Sequence, residues 1–196
     1  MTDDFRDSIR YSLYAAGYYY TFVRRDPELA IKNFEQYAKI LVKDKMDERD
    51  YYDYLYEAFD LLARSYLLLG DKEKAVESAD RSLECLEKIY GSVEEYLGFE
   101  RYTPLRACKI GGLYLVKEGR EGALRYLDMI DHCKKCEHCE CPECVDKMER
   151  LGFIAEIDGD YEKAIEYYED AIKFGAYDSE RISGIRECRK KLESED

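Results

Sequence analysis

Two copies of one pattern, each centred on a glycine–aspartate pair, constrain the fold of this chain more than any other feature. Leu62-Ala63, Tyr66, Gly70-Asp71, Ala75, Ala79 and Ser82 fall in the same register as Leu151-Gly152, Ala155, Gly159-Asp160-Tyr161, Ala164, Tyr168 and Ala171. Each copy reads as a helix, a tight turn and a second helix. Gly70 and Gly159 suit the left-handed conformation that ends a helix, and Asp71 and Asp160 suit capping of the next one. Small residues at Ala75 and Ala164 let the paired helices approach closely.

Two further copies keep the plan with fewer of its residues. Gly17-Tyr18, Thr21, Ala30, Phe34 and Tyr37 form one, with Asp26-Pro27 as cap and first helical residue. Ile110-Gly111, Tyr114, Ala123, Leu127 and Ile130 form the other, entered through Thr103-Pro104. The alanines Ala30, Ala75, Ala123 and Ala164 are 45, 48 and 41 residues apart. The pattern predicts an all-α chain of four hairpins, over about 7–43, 51–90, 103–131 and 145–175. Extra length falls in the charged connector Lys43 to Asp50, in a short helix opened by Ser92-Val93-Glu94-Glu95 with capping-box spacing, and at 132–144. Ile182, Ile185, Cys188 and Leu192 mark one face of a polar helix over 179–193, the form of a cap on the open end of a stack. At 196 residues with 46% hydrophobic content, one domain or one continuous array is expected.

The run from Leu151-Gly152 through Gly159-Asp160-Tyr161 to Ala171-Ile172 resembles the tetratricopeptide repeat family, and the other copies follow it from about Asp7 to Phe174. The resemblance implies a right-handed superhelix of paired helices whose inner face binds a peptide or another protein, which makes the chain a non-enzymatic adaptor or scaffold. It departs from the family in unit spacing, about 34 residues there, and in lacking the closing proline. By analogy the inner face is lined from the first helix of each hairpin. This nominates Tyr19 and Phe22, then Asp60 and Arg64, then Cys108 and Gly112, then Glu149, Phe153 and Glu156. Family members that clamp a C-terminal carboxylate use Lys and Asn there; this chain has Ala15, Tyr19, Asp60, Arg64, Cys108 and Gly112 in the matching places, so that clamp is not expected. Mixed aromatic and acidic groups suit a partner segment with apolar anchors and some positive charge.

Between the third and fourth hairpins, His132 to Cys144 holds five of the eight cysteines and both histidines. Pairs of thiols two residues apart can aim two sulfurs at one ion, and two pairs complete a tetrahedral site. Cys133 and Cys136 with Cys141 and Cys144 leave four residues for the chain to reverse, and are the expected zinc ligands. Cys139, His138 and His132 are alternates. An iron–sulfur cluster is the competing reading, because Cys133, Cys136 and Cys139 repeat a ferredoxin-like spacing and Cys141-Pro142 follows. Cys141-Pro142-Glu143-Cys144 also resembles a thiol oxidoreductase motif, but no strand–helix–strand pattern accompanies it. Cys85, Cys108 and Cys188 read as small buried hydrophobes.

A formal charge of -13 argues against phosphate-backbone binding despite twenty tyrosines. The N-terminus lacks secretory-signal character and no apolar run is long enough to span a bilayer, so a cytoplasmic, membrane-free protein is expected. One Asn, one Gln and no Trp, with abundant Lys and Glu, resemble thermophile composition. No phosphate-binding loop or nucleophile elbow is found. An iron–sulfur or thiol redox protein is the alternative function; an accessory subunit of a larger assembly, such as a ribosome-associated factor, is another.

Overall fold

The computed structural model describes residues 3–41, 46–98, 103–130, 142–173 and 179–195, which are helical apart from short turns, with no strand among them. The chain divides into two compact units, Met1–Phe99 and Glu100–Asp196. The first contains α1 (Asp3–Tyr19), a π-helical turn (Tyr20–Arg24), α2 (Pro27–Ile40), α3 (Glu48–Leu69), α4 (Lys72–Tyr90) and α5 (Val93–Leu97). The second contains α6 (Thr103–Leu127), α7 (Pro142–Ile157), α8 (Tyr161–Lys173) and α9 (Ser179–Glu195).

Helix starts follow from side chains that satisfy free amides at the first turn. Asp26 accepts from the Leu29 N–H at 3.1 Å and Asp71 from Lys74 at 3.2 Å. Asp160 accepts from Lys163 at 3.2 Å, and Ser92 from Glu95 at 3.0 Å. Asp47 caps α3 through the Arg49 N–H, three residues ahead of the expected start. Gly70 and Gly159, at φ 84° and 80°, end α3 and α7 in the left-handed region, as the sequence predicts.

The first hairpin turns without a glycine. Thirteen residues separate Gly17 from Ala30, whereas twelve separate Ala63 from Ala75, Gly111 from Ala123 and Gly152 from Ala164. The extra residue falls in the hairpin whose first helix ends in the π-helical turn, the usual form of a one-residue insertion in a helix. Arg25, at φ 56°, then takes the left-handed place.

The third hairpin is hidden within α6, which has helical backbone on both sides of Gly119 at φ 72° and ψ -160°. Tyr114 and Tyr126 would lie about 18 Å apart along a straight helix. Their ring centroids are instead 4.7 Å apart, so the chain folds back at Gly119.

Packing within each hairpin depends on small residues facing large ones. A Cβ at Gly17 would lie 2.7 Å from the Phe34 ring, and one at Gly152 2.7 Å from the Tyr168 ring. Tyr168 also lies against Gly184 of α9, whose Ile185 and Cys188 join its cluster. Ile182, expected on the same buried face, is 45% exposed.

Gly152→Ala gains about 1 kcal/mol of intrinsic helix propensity but forces a methyl into a ring held from both sides. Overpacking of about 1–3 kcal/mol outweighs that gain. The urea midpoint of the variant should fall; a rise would show that Tyr168 can move.

Candidate functional site

The side chains expected to meet a partner differ in exposure and in what they touch. Tyr19, on α1, is 47% exposed, and with Ala15 and Tyr11 it forms an exposed stripe at four-residue steps. Tyr11, 75% exposed, was not anticipated as a surface group, although its spacing from Tyr19 was readable. Phe22 is buried against Tyr18, with ring centroids 4.7 Å apart, and Phe153 is buried on α7. These two rings contribute to packing and are not presented for contact.

Asp60 and Arg64 are buried one turn apart on α3. Arg64 donates through Nε to Asp60 Oδ1 at 3.2 Å, and through Nη2 to Oδ1 at 3.1 Å and Oδ2 at 2.8 Å. This paired arrangement satisfies the two charges within one helix, as burial requires. Nearby, burial together with the Glu57 and Asp60 carboxylates pushes the Tyr14 hydroxyl up to about 12, against the pull of Arg64. Burial likewise pushes Tyr37 well above the ordinary tyrosine range, against the pull of Arg10.

Glu149 of α7 is paired with Arg181 of α9, and Glu156 accepts from the Tyr168 hydroxyl at 2.8 Å. Both acids therefore tie helices together in the second unit. Cys108 is buried, and Gly112 lies within α6. The nominated set is thus divided among an exposed tyrosine, buried rings, a buried ion pair and interhelical acids.

Above α3 in the first unit runs a groove of about 460 Å3 between α2 and α4. Leu55, Phe59, Leu62 and Tyr66 line it from α3. Arg81 stands over the Phe59 ring at 4.0 Å and Lys74 over Tyr66 at 5.4 Å, while Tyr66 donates to Glu35 at 3.0 Å.

Of the expected metal ligands, His132, Cys133, Cys136, His138, Cys139 and Cys141 lie outside the described residues. Cys144 falls in the first turn of α7, with its side chain outside the description. Among the described residues, no group of three His, Cys, Asp or Glu side chains forms a metal site. Cys85, Cys108 and Cys188 are buried thiols outside any disulfide, as expected of small hydrophobes, and burial pushes the Cys85 thiol up to about 11 against the pull of Arg81. Such a thiol stays protonated near neutral pH. Among the described residues no helix is long and apolar enough to cross a membrane.

Stacked helical hairpins with small-residue contacts define a paired-helix repeat protein. The tetratricopeptide repeat profile matches residues 56–85 and 148–174, the hairpins of α3 with α4 and α7 with α8. These matches support a tetratricopeptide repeat protein. No curated protein matches the chain.

Removing one member of the buried pair should be costly. Asp60→Ala leaves Arg64 charged and unpaired, at a cost of about 3–5 kcal/mol, whereas replacing both by apolar residues of similar size should be close to neutral. Urea denaturation of the single and double variants checks this. Equal losses from both would show that the pair itself stabilises α3.

Proposed function

We propose that this chain is a non-enzymatic interaction scaffold that binds another protein through its helical-repeat surface. The observation that carries this reading is the recurrence of the tetratricopeptide match at two separate hairpins, since such repeats mediate contacts between proteins. In this reading the four hairpins continue as a right-handed superhelix capped by α9. The exposed Tyr11–Ala15–Tyr19 stripe supplies aromatic anchors, which give large contact area for little lost side-chain freedom. The charge of -13 favours a partner segment carrying positive charge.

We further propose that Cys133, Cys136, Cys141 and Cys144 hold a structural zinc that closes the connection before α7. The support is the thiol spacing, with two residues inside each pair and four between the pairs. The metal would pin the chain and do no chemistry.

Capture from native extract separates contact residues from packing residues. Tyr19→Ala, combined with Tyr11→Ala, should reduce recovery of partners with little change in melting temperature. Phe153→Ala should instead cost about 3–5 kcal/mol of stability. Unchanged recovery with the double tyrosine variant removes α1 as the interface.

Anaerobically purified protein should be colourless, with about one zinc per chain, because a filled d shell gives no visible transitions. Cys133→Ser or Cys144→Ser should release the metal, and Cys139→Ser should not. A brown protein would favour an iron–sulfur cluster, and equal loss from Cys139→Ser would change the ligand set.

A further inference from the structure

The second unit has an unfilled groove in the register that α4 walls in the first. In the first unit Glu35 and Ala38, one and four residues after Phe34, border the α2–α3 groove, and Leu55, Phe59, Leu62 and Tyr66 line it. In the second unit Glu169 and Ile172 follow Tyr168 by the same steps. Ile182, Arg186, Arg189 and Glu193 repeat the spacing of the four α3 residues. They border a groove of about 530 Å3 between α8 and α9. α4 forms the far wall in the first unit, whereas the lining of the α8–α9 groove comes from those two helices alone among the described residues.

The open groove has an apolar floor and a charged rim on which Arg186, Arg189 and Lys190 stand beside Glu169 and Glu193. Ile172 is half-buried, Ile185 is buried, and Ile182 is 45% exposed. Arg189 is paired with Glu169 at 3.2 Å and Lys190 with Glu187 at 3.5 Å, while Arg186 is exposed and makes no ion pair among the described residues. Among the described residues Arg186 is thus the rim cation left for a partner's carboxylate.

We propose that this groove receives an amphipathic helix from a partner protein, seated against α9 as α4 is seated against α3. Its apolar face covers Ile172, Ile182 and Ile185, and a carboxylate on its flank meets Arg186. The surface is separate from the α1 stripe, so failure here leaves that reading standing.

The test uses the full chain and two fluorescein-labelled synthetic helices of about 20 residues, long enough to form a helix on a surface. Both carry leucines at three- and four-residue steps; one has glutamates on its flanks and the other lysines. Fluorescence anisotropy should show binding of the glutamate peptide, weakened by salt, and none of the lysine peptide. Arg186→Glu and Ile182→Asp should each weaken it about tenfold or more, with far-UV circular dichroism unchanged. Lys191→Glu should leave it as in the wild type. Absence of binding, equal binding of both peptides, or indifference to Ile182→Asp and Arg186→Glu overturns the proposal. A dimer in sedimentation that Ile182→Asp dissolves assigns the groove to a second copy instead.

Discussion

Close approach of paired helices, made possible by a glycine or alanine facing a buried ring, is the constraint on which both units depend. At Gly17 and Gly152 the partner ring occupies the volume a Cβ would need. Helices at that separation bring backbone and aromatic atoms into dispersion contact, but only at one register. The register then decides where the turn must fall, and hence where a left-handed residue and a capping carboxylate are required. The Gly70-Asp71 and Gly159-Asp160 pairs are consequences of this geometry, because a turn displaced by one residue would move Ala75 or Ala164 off its partner helix.

That dependence explains which parts of the fold were legible. Turn and cap residues act locally, so Asp71, Asp160, Asp26 and Ser92 could be assigned from neighbours in sequence. The turn at Arg25 could not, because nothing in Arg24-Arg25-Asp26 advertises a left-handed residue. It follows from packing: with thirteen residues between Gly17 and Ala30, the chain must absorb one residue to keep the small-residue contact, and a π-helical turn ends the helix there. Gly119 carries the converse case, since a sharp turn with helical backbone on both sides gives no loop signal.

The candidate surface was less legible than the fold. Family analogy places Asp60, Arg64, Phe22 and Phe153 on the inner face, but their exposure depends on what packs beside each helix. Charge was a poor guide to exposure for Asp60 and Arg64. Four-residue spacing lets the two ions satisfy each other within α3, so that they can be buried together. The exposed tyrosines show the reverse. Tyr11 and Tyr19 are aromatic yet open to solvent, whereas Tyr14 between them sits among Tyr18, Phe34 and Tyr37. Residue type does not separate these tyrosines; helical phase does, and phase can be read only once the packed face of α1 is known.

The same logic distinguishes the two faces of α9. At the spacing where α3 has Leu55, Phe59, Leu62 and Tyr66, α9 has Ile182, Arg186, Arg189 and Glu193, so three of four groove positions have exchanged apolar for charged side chains. Its other face keeps Gly184 and Cys188 against Tyr168, with Ile185 shared between that cluster and the groove floor. A helix altered on one face alone can close a hydrophobic core on one side while tolerating water on the other. Ile182 is the exception: it keeps the apolar character of Leu55 where no further helix among the described residues covers it, so the charged face of α9 retains one exposed apolar group.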